Sequence, residues 1–177
     1  SWLCIISNLY NKYYYLIMFP IKIKHKAEKV FKLCLKKKIK LVFAESCTGG
    51  LLSSLITSFP NSSKIFISSF VTYSNLSKQK MLGVKNKTLK KYGAVSKEVA
   101  EEMVNGIWNK YKINIALSIT GIAGPTGHTN NKKVGLVYIG IKSKKGIDIN
   151  EFNFKGNREK IRLASVEKAI DLISSVI

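Results

Sequence analysis

A regular exchange between two hydrophobic periods constrains this chain more than any other property. "HKAEKVFKLCLKKK" sets Ala27, Val30, Phe31, Leu33, Cys34 and Leu35 on roughly one face, the spacing of an amphipathic helix, and "IKLVFAE" follows as a buried strand. "LLSSLITSF" reads as a short helix stopped by Pro60 and Asn61, "IFISSFVTYS" as a strand, "NLSKQKML" as a helix and "LGVKNKTLKKYGAVS" as a turn-rich connection. Ser96 caps the helix "SKEVAEEMVNGIWNKY", with Glu98 in the first turn, where the helix dipole favours a carboxylate. "INIALSIT" is a strand, "VGLVYIGIKS" and "IDINEFNFK" form a hairpin around Lys144 to Gly146, and "NREKIRLASVEKAIDLISSVI" is a last amphipathic helix. From the first strand onward the order is β-α-β-α-α-β-β-β-α, which predicts a single α/β domain of three α/β/α layers around a mixed sheet.

Composition supports a folded domain. Of 177 residues 46% are hydrophobic, enough for a sizeable core. The formal charge of +20 suggests a nucleic-acid binder at first sight, yet of 30 basic residues only Arg158 and Arg162 are arginine. Readers of phosphates and bases favour the two-pronged guanidinium, so the lysines read as a coding bias on a solvated surface whose positive field would still attract a small anion. Three cysteines without a CxxC pair and two isolated histidines argue against a zinc site or a disulfide framework, and a reducing cytoplasm is the expected setting.

The segment "SWLCIISNLYNKYYYLI" is rich in aromatics and free of acids. Asn8, Asn11 and Lys12 interrupt its apolar run, so neither a spanning helix nor a signal peptide is expected. Residues 1–23 are read as an N-terminal extension outside the fold, dispensable up to residue 17, and 24–177 as the domain.

"AESCTGG", residues 44–50, sits where the first strand should end. Turns of this kind, outside the carboxyl ends of strands, are where α/β sheets bind ligands. A hydroxyl at Ser46 would lie near free amides of the coming helix, with Gly49 and Gly50 permitting close approach, which suits an acyl-transfer nucleophile as well as an ordinary helix cap. His25 and His128 have no evident partners for a triad, and no GxSxG elbow is present. Lysine is the remaining base, and "YSNLSK", Tyr73 to Lys78, falls at the same sheet edge, where a desolvated amine could accept a proton. The SxxK spacing of Ser77 and Lys80 is attributed to chance. "GIAG" matches the GxxG of KH domains, but it follows a strand instead of joining two helices.

The motifs "AESCTGG", "VTYSN", "LGV", "YGAVS", "SITGIAGP", "KVGLVYIG" and "FKGNRE" occur in an order and spacing that resemble the CinA C-terminal domain family, the nicotinamide-nucleotide amidases, over about residues 24–175. The resemblance implies a stand-alone, cofactor-free and metal-free amidase of pyridine-nucleotide salvage, which converts the small anionic nucleotide nicotinamide mononucleotide into nicotinic acid mononucleotide and ammonia. It implies Ser46 as nucleophile and Lys78 with Tyr73 as the proton-transfer pair. Substrate contacts are expected from Glu45, Thr48, Gly49, Gly50, Gly121, Ala123, Gly124 and Arg158, with Glu45 read alternatively as holding the turn or Lys78 in place and the amides of Thr48 to Gly50 read as an oxyanion hole or an anion contact. A homo-oligomer, dimer or larger, is expected, with no membrane and no nucleic-acid partner. His128, Lys133 and Leu136 depart from the glycine, proline and threonine expected there. The alternative functions are a nucleotide-binding module without turnover and a competence- or DNA-associated protein.

Overall fold

The computed structural model describes residues 19–177. The elements are α1 (Ile21–Lys37), β1 (Leu41–Glu45), α2 (Leu51–Thr57), a 3-10 turn (Ser62–Lys64), β2 (Phe66–Val71), α3 (Asn75–Leu82), α4 (Asn86–Tyr92), α5 (Lys97–Trp108), β3 (Ile115–Gly121), β4 (Leu136–Ser143), β5 (Gly146–Asn153) and α6 (Arg158–Val176). The expected extension lies outside the described residues up to position 18. Of its last five residues Phe19 and Ile23 are buried, so the packed unit begins earlier than the expected boundary at 24.

The sheet runs β2-β1-β3-β4-β5. β1 is parallel to both β2 and β3, whereas β4 and β5 continue as antiparallel strands. This is the expected mixed sheet, and its two faces are covered separately. β1 is buried along its whole length and divides its side chains by the period of two. Leu41 and Phe43 join the core under α1, α2 and α6, while Val42 and Ala44 join the core under α3, α4 and α5. Lys26 of α1 ties that layer to α6 through Glu167 at 2.7 Å and Asp171 at 3.0 Å.

Caps fix where several helices begin. Ser96 accepts from the Val99 N–H at the start of α5, as the sequence suggested, Ser74 accepts from Ser77 N at the start of α3, and Asn157 accepts from Lys160 N at the start of α6. One element departs from expectation: "NKTLKKY", read as turn, is the helix α4. Its sequence carries no apolar stripe, and its anchor is distant. Glu102 of α5 accepts from the Lys85 N–H and from Thr88 Oγ1, while Thr88 and Leu89 are buried.

Where α3 ends, it lies directly on α5. A Cβ at Gly106 would stand 2.0 Å from the Leu82 carbonyl oxygen, so only glycine lets the two helices approach this closely. Gly106→Ala should gain about 1 kcal/mol of helix propensity and lose about 1–3 kcal/mol to overpacking. The expected net outcome is a Tm lower by a few degrees in scanning calorimetry. A Tm unchanged or raised would mean that α3 slides freely on α5.

Candidate active site

Three parallel strands end at one edge, and each end contributes to the same place. β1 delivers the turn Ser46 to Gly50, β2 delivers Thr72 and Tyr73, and β3 delivers the loop from Gly121 to Gly124. Between them lies a cleft of about 280 Å³ whose lining includes Ser46, Cys47, Tyr73, Lys78, Thr120 and Arg158. This is the crevice outside the carboxyl ends of strands where α/β sheets bind ligands.

Lys78 is 1% exposed, a rare condition for a lysine. Its Nζ lies 2.9 Å from Ser46 Oγ, 2.7 Å from the Thr72 carbonyl and 3.4 Å from the Tyr73 carbonyl. Burial lowers its pKa from 10.5 to about 8. Both carbonyls can only accept. A neutral amine must therefore spend its two N–H bonds on Thr72 and Tyr73, and its lone pair then faces the Ser46 hydroxyl. Lys80, by contrast, is exposed, and Ser77 Oγ donates to the Ser74 carbonyl, so the SxxK spacing builds nothing here.

The turn behind Ser46 is held by its own backbone. Ser46 N donates to the Ile119 carbonyl and Gly49 N to the Ser46 carbonyl. Glu45 is fully buried, and its carboxylate accepts from Leu52 N at 3.1 Å, from Ser53 N at 2.9 Å and from Ser53 Oγ at 2.5 Å. The amides opening α2 are thereby consumed by the protein itself. Among the described residues the N–H groups of Cys47 and Thr48 donate to no other residue, and Cys47 lines the cleft. Its thiol is a poor rival to the hydroxyl, because burial pushes its pKa up to about 12.

The expected site residues thus separate into two groups. Ser46, Tyr73, Lys78, Gly121, Ala123, Gly124 and Arg158 line the cleft. Glu45, Thr48, Gly49 and Gly50, expected to touch substrate, do not line it and instead build the turn behind it. The physical reason is the Glu45 carboxylate, which occupies the helix terminus where a ligand anion was expected. The Tyr73 phenol makes no hydrogen bond to the serine or the lysine: the residue is 59% exposed, and its phenolic oxygen accepts from Arg158 Nη2 at 2.7 Å. Arg158 Nη1 donates to the Gly124 carbonyl at 2.8 Å, so this arginine spans the cleft mouth.

Sequence reasoning missed Thr120, whose Oγ1 donates to the Ala94 carbonyl, and the wall formed by Ala94 and Val95. Their signal was present in "SITG" and "YGAVS". Among the described residues no group of three or more His, Cys, Asp or Glu side chains could hold a metal, and no helix is long and apolar enough to cross a membrane.

Comparison with known proteins identifies the fold and the family. The model of the CinA C-terminal domain family matches residues 23–177. A CinA-like protein of Endomicrobium trichonymphae is 51% identical over 142 residues, covering 80% of this chain and 33% of that one. The crystal structure of the competence/damage inducible protein CihA from Agrobacterium tumefaciens has a TM-score of 0.86 at 36% identity, over 89% of this chain and 97% of that one. A competence-damaged protein (CinA) superfamily protein from Escherichia coli has a TM-score of 0.83 at 28% identity, over 88% of this chain and 90% of that one. The chain spans about a third of the length of the curated relatives it matches. With the family match running through every strand and every helix of the sheet domain, the chain belongs to the CinA C-terminal domain family.

Proposed function

We propose that the domain is an amidase that converts nicotinamide mononucleotide into nicotinic acid mononucleotide and ammonia through an acyl-enzyme on Ser46. The observation that carries this reading is the buried Lys78 amine 2.9 Å from Ser46 Oγ at the wall of an open cleft. The substrate comes from the family resemblance, and the geometry of serine and lysine supports the chemistry.

Lys78 takes the Ser46 proton as Oγ attacks the carboxamide carbon. The negative charge that develops on the carbonyl oxygen is met by the amide of Cys47, which donates to no other described residue and borders the cleft. When the carbon–nitrogen bond breaks, Lys78 returns the proton to the departing nitrogen, and ammonia leaves. A water then gives its proton to Lys78 and attacks the acyl carbon, and the serine oxygen regains a proton as the carboxylate product departs. At the mouth Arg158, steadied by Gly124 and Tyr73, is placed to hold the nucleotide phosphate by a charge-assisted contact. Tyr73 serves here through its carbonyl on Lys78 and its phenol on Arg158.

Ammonia release from nicotinamide mononucleotide by the purified chain tests the reading directly. Ser46→Ala should lose at least about a thousandfold in turnover with the fold retained, while Cys47→Ala keeps most of it. The reverse pattern would transfer the nucleophile to the thiol.

The pH profile of kcat/KM should rise through an apparent pKa near 8, the value burial gives Lys78. Lys78→Arg should be inactive, since a guanidinium stays protonated near neutrality. Activity retained by the arginine variant, or a profile flat from about pH 6 to about pH 10, would remove lysine from the role of base.

The same burial costs stability. Below pH 8 the amine is protonated in both the folded and unfolded chain, and the folded state bears the full penalty of about 3 kcal/mol. As pH rises from about 8 towards 10.5 the unfolded chain still binds the proton that the folded one has released, so the penalty disappears and stability increases. Lys78→Met should therefore raise Tm by a few degrees at about pH 7, after allowance for the hydrogen bonds lost to Thr72 and Tyr73. The gain should shrink between about pH 8 and about pH 10 in parallel thermal melts. A methionine variant less stable than the parent near neutral pH would mean that burial of the charge is fully compensated.

A further inference from the structure

Both arginines of the chain lie on α6, one helical turn apart, and the second has no part in the cleft. Arg162 Nη2 donates to the Thr48 carbonyl at 2.6 Å, across 114 positions of sequence. Its Nε is buried without a hydrogen-bond partner among the described residues. Such a donor weakens a fold unless the placement of the side chain secures something else. What it touches is the peptide link between Thr48 and Gly49. The carbonyl of that link accepts from Arg162 and from Leu51 N, and its N–H donates to the Ser46 carbonyl, so the unit is fixed at both ends. Gly49 has φ +60°, and a Cβ there would lie 3.6 Å from Arg162 Nη2, so the guanidinium also bounds the turn from outside.

We propose that Arg162 is the positioning residue of the nucleophile turn. By holding the Thr48 carbonyl away from the cleft it keeps the preceding Cys47 amide directed at the position of the developing oxyanion. The proposal rests on the amidase reading for its effect on rate, while its effect on the turn is independent of any substrate. It also gives the two arginines different roles, since Arg158 faces ligand at the mouth and Arg162 never meets it.

The test uses the full chain with Arg162→Met, Arg162→Lys and, as a contrast, Arg158→Met. In Arg162→Met, amide hydrogen exchange over residues 46–50 should accelerate at least about tenfold while the strands keep their protection. The value of kcat should fall by about 10- to 100-fold with KM within about threefold, and the apparent pKa set by Lys78 should stay where it was. Arg162→Lys should recover part of both losses, and methylguanidinium should restore part of the turnover of Arg162→Met. Arg158→Met should instead raise KM.

Local exchange and kcat both unchanged in Arg162→Met would overturn the proposal. So would a loss of rate accompanied by a matching loss of strand protection and Tm, which would make the residue merely structural. If Arg162→Met does not fold, Arg162→Lys decides by the same two readouts, with parental behaviour in both counting against the proposal. A parent chain that releases no ammonia would refute the amidase reading, and the exchange measurement would still decide whether Arg162 holds the turn.

Discussion

A single buried amine sets the terms for the rest of this molecule. Lys78 lies within 3.4 Å of two backbone carbonyls and a serine hydroxyl and is nearly sealed from water, in a chain of formal charge +20. Solvation favours its removal to the surface, as for most other lysines here. It is kept inside by backbone geometry. Ser74 caps α3 at one end and Gly106 admits the Leu82 carbonyl at the other, so the helix that carries the lysine cannot roll outward without breaking either contact. The carbonyls of Thr72 and Tyr73 then meet it at the end of β2.

The opposite charge is treated in the complementary way. Glu45, immediately before the serine, is buried with no lysine or arginine partner among the described residues and is satisfied by two amides and a hydroxyl at the start of α2. Its negative charge offsets the positive end of that short helix and leaves the turn free of an unshielded dipole beside the Ser46 hydroxyl. Positive character is thus moved from the helix terminus to the cleft mouth, where Arg158 lies exposed. The inner cleft is left to a neutral hydroxyl, a weakly basic amine and a protonated thiol.

The layers of the fold were legible because they rest on local periodicity. β1 is a continuous apolar run, and Ser96 announced its helix by the ordinary capping rule. α4 was not legible, since three of its seven residues are lysines and its stability comes from Glu102 on another helix. In the site, the Ser46 turn could be placed from sequence, and its pairing with Lys78 came from family resemblance, because nothing local distinguishes that lysine from its many copies. For Glu45 two readings, substrate contact and support of the turn, stayed open for a similar reason. A carboxylate before a serine reads equally as ligand contact or as cap, and only the direction of α2 decides. The interval of four between Arg158 and Arg162 was visible, but not the carbonyl that the second would reach.

Contacts from α6 to Thr48, Tyr73 and Gly124 have a consequence for how the domain comes into being. As the chain emerges during synthesis, the serine turn and its lysine partner are complete long before the helix at 158–176 exists. Three parallel strands and their crossovers can collapse in that interval, with slow, long-range pairing as the cost. The cleft nevertheless stays without its mouth and without the external support of its turn until α6 docks. Maturation of the site is therefore deferred until α6 docks, and a nascent chain bears the Ser46 hydroxyl without the frame around it.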